Sequence, residues 1–459
     1  MEQMDTEREG PVSQGQKDNV QEVVDDQVTI CEGKFVMLRL PSENFRVVKL
    51  TAGTNINLGK FGSFAVNDII AKPFGFTYEI ENEEGARKLS IVNNLYELDD
   101  SEEGITELEP NENNRDLFDH PDVQALKAEQ IEELKKQGLS GQEIIERVKA
   151  SHSSFTKKTA FSQEKYIKRK QQKFLQRFTP EPIGSSELID IYLDKDPARI
   201  MDLSVESLGL VLSQANIQPG GKYLVLDDMA GVLVSALLER IGGEGLVVVA
   251  HEHEHPNLDA MKFMNFDSDM VKRMVKTINW LDFFHPEEAD EFEYLSDEQL
   301  HELKPSQRGQ YHRKKARHED LILARDLIDN NKFDALVVAT KLDLPELVPL
   351  MIPAIGGSRP IVVYSEFKEQ LVDLTHVLHK DLRVLAPTIM ETRVRKYQTL
   401  PGRMHPHMTS RGGGGYVLWG TRVFPSQVHA VGASTRKKRK VDNESKDKAQ
   451  PKDEQTATN

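Results

Sequence analysis

A single cysteine, Cys31, stands among 459 residues. It excludes an intramolecular disulfide and a Cys-rich zinc module, and it fits a reducing compartment. Long apolar runs are missing too: no stretch approaches the ~20 residues of a membrane span, so no membrane partner is expected. Positive charge is in short supply overall, with 59 Lys and Arg against 74 Asp and Glu and a formal net charge of −15. That balance argues against bulk affinity for nucleic acid, but an average hides patches and the charge has to be read locally. The start of the chain, MEQMDTEREGPVSQGQ, is polar and acidic, the opposite of a signal or transit peptide. Residues 1–26 also lack apolar periodicity and are expected to be disordered. What remains is long enough for about two or three domains with cores of their own.

The organising stretch is Lys222–Asn257, which reads as strand, tight turn, helix, glycine turn and second strand. Tyr223–Leu226 and Leu246–Ala250 suit buried parallel strands. Val234, Leu237, Leu238 and Ile241 fall at helical spacing between them and give one apolar face. In such a βαβ unit the first turn can bind a cofactor, and several glycines let its backbone approach the ligand. Here the turn reads Asp227-Asp228-Met229-Ala230-Gly231-Val232, with one glycine. The scaffold is present while its binding signature is worn away.

Before this unit, residues 27–100 hold short β-branched and aromatic segments broken by Gly, Pro and Asn turns, which predicts a small barrel or sandwich. The glycine-rich connection Gly53–Gly62 reads as hairpin chemistry, since no helix follows it. Residues 101–182 form an acidic, Asn-rich linker and a helical insertion, in which Ser140 and Glu143 have the spacing of a capping box. From residue 183 to 430, strands alternate with helices and close on a hairpin-like pair, Ile389–Tyr397 and Gly415–Phe424, the pattern of a doubly wound sheet with an antiparallel edge. Within this part, a helix is expected around Leu258–Phe266 and an apolar segment at Ile278–Phe284, followed by the basic run Arg308–His318.

One part of the insertion departs from the acidic background. Lys157–Phe178 carries eight Lys or Arg against one acid, Glu164. In a helix, Lys165, Arg169, Lys173 and Arg177 recur every fourth residue and form a stripe, with Lys157, Lys158, Lys168 and Lys170 around it. Ile167, Phe174, Leu175 and Phe178 lie on another face as anchors. A docked element bearing a row of cations is what phosphate binding needs, so RNA binding is expected here in preference to a merely solvated face. Near the closing hairpin, Arg395, Lys396, Arg403 and Arg411 with His405 and His407 are candidates for RNA or partner contact, and packing or plain exposure is equally open. His251, His253 and His255 alternate as metal ligands can, yet no second cluster accompanies them and no metal site is expected. In residues 431–459, a polar tail expected to be disordered, the compact run Arg436, Lys437, Lys438, Arg439 and Lys440 reads as a nuclear import signal or a nucleic-acid tether.

The α/β pattern ending in a hairpin is similar to the class of S-adenosylmethionine-dependent methyltransferases. More closely, PGGKYLVLDDMAGVLVSALLERIGGEGLVVVAHEHEHPN and SRGGGGYVLWGTRV resemble the family of non-catalytic, RNA-binding subunits of eukaryotic tRNA (adenine-58-N1) methyltransferases. The resemblance extends over nearly the whole chain apart from its two tails. It implies a degenerate Rossmann-like class I methyltransferase domain, preceded by a small N-terminal β-barrel-like domain and a basic helical insertion. It also implies a subunit that binds tRNA and assembles with a catalytic paralogue, as a heterotetramer, while the basic tail run leads us to expect a nuclear location. The methyl donor would sit on that partner, with no cofactor bound by this chain. Active relatives carry glycines after the first strand, an acid after the second, and a catalytic Asp followed by Leu-Pro after the fourth. Here those places hold the single Gly231, then His251-Glu252-His253, then Ala339 or Thr340, with Asp343-Leu344-Pro345 about four residues late. Two rival readings follow: an active methyltransferase using Glu252 and Asp343, and a scaffold without RNA contact.

Overall fold

The computed structural model describes residues 28–83, 86–93, 128–136, 139–152, 160–288, 292–400, 403–409 and 412–425, with positions 95, 126, 155 and 158 singly. Among the described residues no helix is long and apolar enough to cross a membrane. The first part contains β1 (Phe35–Arg39), β2 (Phe45–Lys49), β3 (Asn55–Asn57), β4 (Ser63–Ala65), β5 (Thr77–Glu83) and β6 (Ala86–Val92). The insertion supplies α1 (Ala128–Lys136), α2 (Gly141–Ala150) and α3 (Ala160–Phe174), and β7 (Arg177–Glu181) follows. The β3–β4 hairpin lies where the glycine-rich connection predicts one.

β7 corrects the expected course of the basic stripe. The helix stops at Phe174, and Arg177 and Phe178 belong to a strand. That strand is the middle one of an antiparallel sheet in the order β2-β1-β7-β5-β6. Packing decides the matter: Phe178 is fully buried and stacks on Phe64 at 4.2 Å and on Tyr78 at 5.6 Å. Thr179 shares a 2.8 Å hydroxyl hydrogen bond with Thr77. Burial on both faces outweighs the helical continuation that the charge spacing suggested. Residues 27–100 therefore lack the central strand of their own sheet, and the insertion is an excursion that leaves this sheet and returns to it. By hydrogen bonding the sheet is open rather than a closed barrel, with β2 and β6 at its edges among the described residues.

Inside the insertion the capping box is formed: Glu143 N–H donates to Ser140 Oγ (3.3 Å) and Ser140 N–H donates to Glu143 Oε2 (3.0 Å). Ile144, Ile145 and Val148 of α2 then pack with Ile131, Phe174 and Leu175 in a small separate core. A Cβ at Gly141 would lie 2.6 Å from the Phe174 carbonyl oxygen, so the start of α2 abuts the end of α3 with no room for a side chain.

The α/β part runs α4 (Ser185–Lys195), α5 (Val205–Gln214), β8 (Lys222–Asp227), α6 (Val232–Ile241), β9 (Leu246–His251), α7 (Ser268–Met274), β10 (Val275–Asn279), α8 (Trp280–Phe284), α9 (Asp297–Glu302) and α10 (Pro305–Asp329). It continues through β11 (Ala335–Ala339), α11 (Leu344–Met351), β12 (Pro360–Ser365), α12 (Lys368–Lys380), β13 (Val384–Glu391), β14 (Tyr397–Leu400), β15 (Arg403–Pro406) and β16 (Tyr416–Arg422). Seven strands form one sheet in the order β10-β9-β8-β11-β12-β16-β13. The first five are parallel and β16 runs antiparallel between β12 and β13. This is the strand order of class I methyltransferases, with the antiparallel strand inserted next to the edge. Its apolar strands bury residues on both faces, Tyr223 and Val225 in one core and Leu224 and Leu226 in the other.

Three local expectations give way. The segment after β9 forms a short 3₁₀ turn, Asp259–Phe263, in place of a longer helix. The apolar run near Ile278 splits into edge strand β10 and helix α8, because Asn279 caps α8 by accepting the Asp282 N–H at 2.7 Å. The hairpin-like pair is β13 against β16, with β14 and β15 forming their own hairpin between them. All these elements lie within one unit, which ends at residue 423.

Candidate functional site

The β8–α6 turn is where a ligand crevice lies in open α/β sheets, outside the carboxyl ends of the strands. Asp227 ends β8 with its carboxylate buried, accepting N–H bonds from Met229 (2.7 Å) and Val234 (2.9 Å). Burial pushes this carboxyl up to about 6, against the downward pull of those N–H bonds. Asp228 turns toward β11: its N–H donates to the Ala339 carbonyl (2.9 Å), and its carboxylate accepts from the Thr340 hydroxyl and the Lys341 N–H. Both acids of the turn are engaged by the protein itself.

The rest of the turn is filled in the same way. Met229, Ala230, Val232 and Leu233 are all buried. A Cβ at Gly231, whose φ is +85°, would lie 2.7 Å from Leu258 Cα. The Ala260 N–H donates to the Ala230 carbonyl at 2.9 Å. The chain leaving β9 thus lies directly on the glycine, where a ligand's approach to the backbone would be made. Leu258 covers the Gly231 backbone at this point of the turn. At the fourth strand, Thr340 is fully buried, while exposed Asp343 caps α11 by accepting the Glu346 N–H at 3.1 Å. Glu252 is exposed. No contact between Asp343 and Glu252 is made among the described residues.

Nor do the three histidines converge. His251 is buried, its Nδ1–H donating to the His253 carbonyl at 2.6 Å, and burial lowers its pKa toward the neutral ring. His253 and His255 are exposed, and among the described residues only His285, Glu287 and Glu288, all on the surface, cluster at ligand spacing.

The basic insertion gives a mixed result. Lys165, Arg169 and Lys173 are exposed on α3, as the stripe predicts. Lys168 bridges to Glu43 at 2.6 Å, which ties α3 to the β1–β2 turn. Lys170 and Lys158 lie over the Tyr166 ring, at 4.9 and 5.6 Å from its centroid. Burial, together with the neighbouring Lys173 charge, lowers the Lys170 ammonium from its ordinary pKa. Arg177 is the correction: only 1% exposed, it holds Glu79 through Nε (3.0 Å) and Nη2 (2.8 Å), and it faces no solvent. Arg395 and Lys396 are exposed beside β14, and His405 and His407 are exposed as well. Lys157, Arg411 and the tail cations Arg436 to Lys440 lie outside the described residues, as does the Arg403 side chain.

Sequence reasoning missed two features here. Gln398 of β14 donates to Glu164 of α3 at 2.7 Å, which brings the hairpin against the basic helix. No local pattern marks a pair 234 residues apart. The second is an apolar edge: Leu385 and Met390 on β13, then Val394, Tyr397, Met404 and Met408, are between 37% and 79% exposed. Their letters would ordinarily signal core, and only the fold places Leu385 and Met390 on edge strand β13 and Tyr397 and Met404 on the separate β14–β15 hairpin.

Comparisons with known proteins place the chain in a family. The model of the Gcd10p family matches residues 29–304. A protein of Debaryomyces hansenii named tRNA (adenine(58)-N(1))-methyltransferase non-catalytic subunit is 45% identical over 430 residues, covering 90% of this chain and 90% of its own. Its Schizosaccharomyces pombe namesake is 32% identical over 462 residues, covering 92% and 98%. Among solved structures, a SAM-dependent O-methyltransferase from Thermotoga maritima aligns with a TM-score of 0.46 at 12% identity, covering 88% of this chain and 99% of its own. The tRNA (m1A58) methyltransferase of Aquifex aeolicus aligns with a TM-score of 0.43 at 12% identity, covering 86% and 100%.

Proposed function

Since the chain belongs to the Gcd10p family, whose relatives are named non-catalytic subunits of tRNA (adenine(58)-N(1))-methyltransferase, we propose that it holds tRNA and docks a catalytic paralogue that binds the methyl donor. The observation that carries this reading is the closed turn: Leu258 occupies the space against Gly231, and Asp227 and Asp228 are bound by the protein's own N–H and hydroxyl groups. A methyltransferase sheet kept without its donor turn serves assembly. Binding then rests on the exposed Lys165, Arg169 and Lys173 of α3, with Arg395 and Lys396 of the adjoining hairpin region extending the positive surface. The complex is a hetero-oligomer, a heterotetramer by resemblance, and its place is the nucleus, to which the Arg436–Lys440 run would direct it.

Calorimetry separates this from the active-enzyme reading. S-adenosylmethionine titrated into the isolated chain is expected to give no binding heat, and into the complex with the catalytic subunit a saturable one. Saturable binding to the isolated chain overturns the proposal. A chain that joins the catalytic subunit yet crosslinks to no tRNA supports the scaffold reading instead.

A further inference from the structure

The basic run Arg308–His318, given no role so far, forms the front half of α10, the 25-residue helix Pro305–Asp329. The two buried residues of this helix, Ala324 and Leu327, both lie in its rear half. The front half, ~20 Å long at 1.5 Å per residue, therefore stands off the core. It is nonetheless fixed in place: Arg308 donates to the carbonyls of Leu300 (3.1 Å) and Leu303 (3.4 Å), and the Leu295 N–H donates to Tyr311 Oη at 3.1 Å. The Phe292 ring stacks on His318 at 5.0 Å and meets Tyr311 at 5.5 Å.

On this anchored rod, Arg313, Lys314 and Arg317 share a face about 100° wide by helical geometry. All three are exposed and form no ion pair among the described residues, in a protein of net charge −15. Their neighbours behave differently: Lys315 meets Glu319 at 3.9 Å, and Asp320 holds Lys276 at 2.7 Å. Beside the cations, one turn on from Lys314, His318 lies 5.9 Å from the Tyr294 ring, and Tyr294 is 55% exposed. The Arg317 charge also acts on His251 at the carboxyl end of β9. The surface stands beside edge strand β10, where Asp320, three residues on from Arg317, holds Lys276.

We propose that Arg313, Lys314 and Arg317 of α10 form a second RNA-contact surface, binding backbone phosphates while Tyr294 stacks on an unpaired base. This deepens the tRNA-binding reading and rests on it. Unpaired cations on a rigid element supply phosphate affinity, and an exposed aromatic ring beside them supplies a platform that duplex phosphates alone would not use.

The test is tRNA binding by the full chain in complex with its catalytic subunit, measured across a salt series. The variants are R313Q/K314Q/R317Q, Y294A, and K165Q/R169Q/K173Q on α3, each first shown to melt like wild type. The α10 triple is expected to bind about tenfold or more weakly at physiological salt, its log–log salt slope shallower by roughly 2–3. Y294A should lose affinity with its slope unchanged. An α10 triple that binds like wild type while the α3 triple is weakened overturns this inference alone. Wild type showing no salt-dependent tRNA binding overturns both it and the function proposed above. Lost assembly with unchanged tRNA affinity would mark α10 as a protein contact and also overturns it.

Discussion

Arg177 carries its charge inside the protein. Its letters and its four-residue spacing from Lys173 match the exposed stripe, but only two residues separate the end of the helix from the start of a strand, and the guanidinium is buried against Glu79. Spacing is blind to such a switch, because charge periodicity is the same whether or not the backbone remains helical. Arg177→Gln should leave Glu79, itself only 12% exposed, without its partner. A loss on the order of 3–5 kcal/mol is expected in urea unfolding, with the salt dependence of tRNA binding unchanged in folded protein. Asp227 makes a second residue-scale prediction. Its folded carboxyl sits at about 6 against an ordinary 3.8, so ionising it is harder in the folded state than in the unfolded one. The penalty is absent below about pH 4 and complete above about pH 6, so this group removes stability as pH rises through that window, by on the order of 3 kcal/mol. Comparing wild type with Asp227→Asn by urea unfolding at pH 4, 5, 6 and 7 checks the sign. The difference should shift in favour of the Asn variant as pH rises, and a shift the other way would show that the two N–H bonds dominate.

At the scale of elements, α3 is where the sequence spoke most clearly about binding and least clearly about position. The spacing of Lys165, Arg169 and Lys173 is sufficient to place them on one exposed face, which the structure bears out. What holds that face still is not local: Phe174 and Leu175 enter the small core with α2, Lys168 reaches Glu43, and Glu164 receives Gln398. Lys165→Gln, Arg169→Gln and Lys173→Gln together should weaken tRNA binding and reduce its salt slope by roughly 2–3, with far-ultraviolet circular dichroism unchanged. A slope equal to wild type would remove α3 from the binding surface. The same contrast runs through the fold. The Ser140 capping box and the strands β8, β9, β11 and β12 were legible because each rests on near neighbours in sequence. β7 was not, since its identity depends on Phe64, Tyr78 and Thr77 across the sheet. β10 was obscured because Lys276, Thr277 and Asn279 interrupt the apolar run that marks the other parallel strands.

For the whole molecule, the unfilled requirement is a partner for the far edge of the seven-stranded sheet. β13 ends that sheet, and Leu385 (59% exposed), Val394 (65%), Tyr397 (54%), Met404 (75%) and Met408 (79%) stand out along it and the hairpin that follows. β13 itself carries Pro387 and a bulge between Leu385 and Thr388, which blunt strand-to-strand pairing at this edge. We propose that the five large apolar side chains beside it form a side-chain contact surface for another protein. The closed β8–α6 turn points the same way, since on the function proposed above the methyl donor sits on the partner. We therefore expect Leu385→Lys with Met404→Lys to abolish co-purification of the catalytic subunit while the isolated chain still melts cooperatively and remains soluble. Binding of tRNA to α3 should survive in that isolated variant, because Lys165, Arg169 and Lys173 lie on another element. Undiminished co-purification would move the subunit contact elsewhere. Loss of both co-purification and tRNA binding in a folded variant would mean that the edge carries RNA as well as protein.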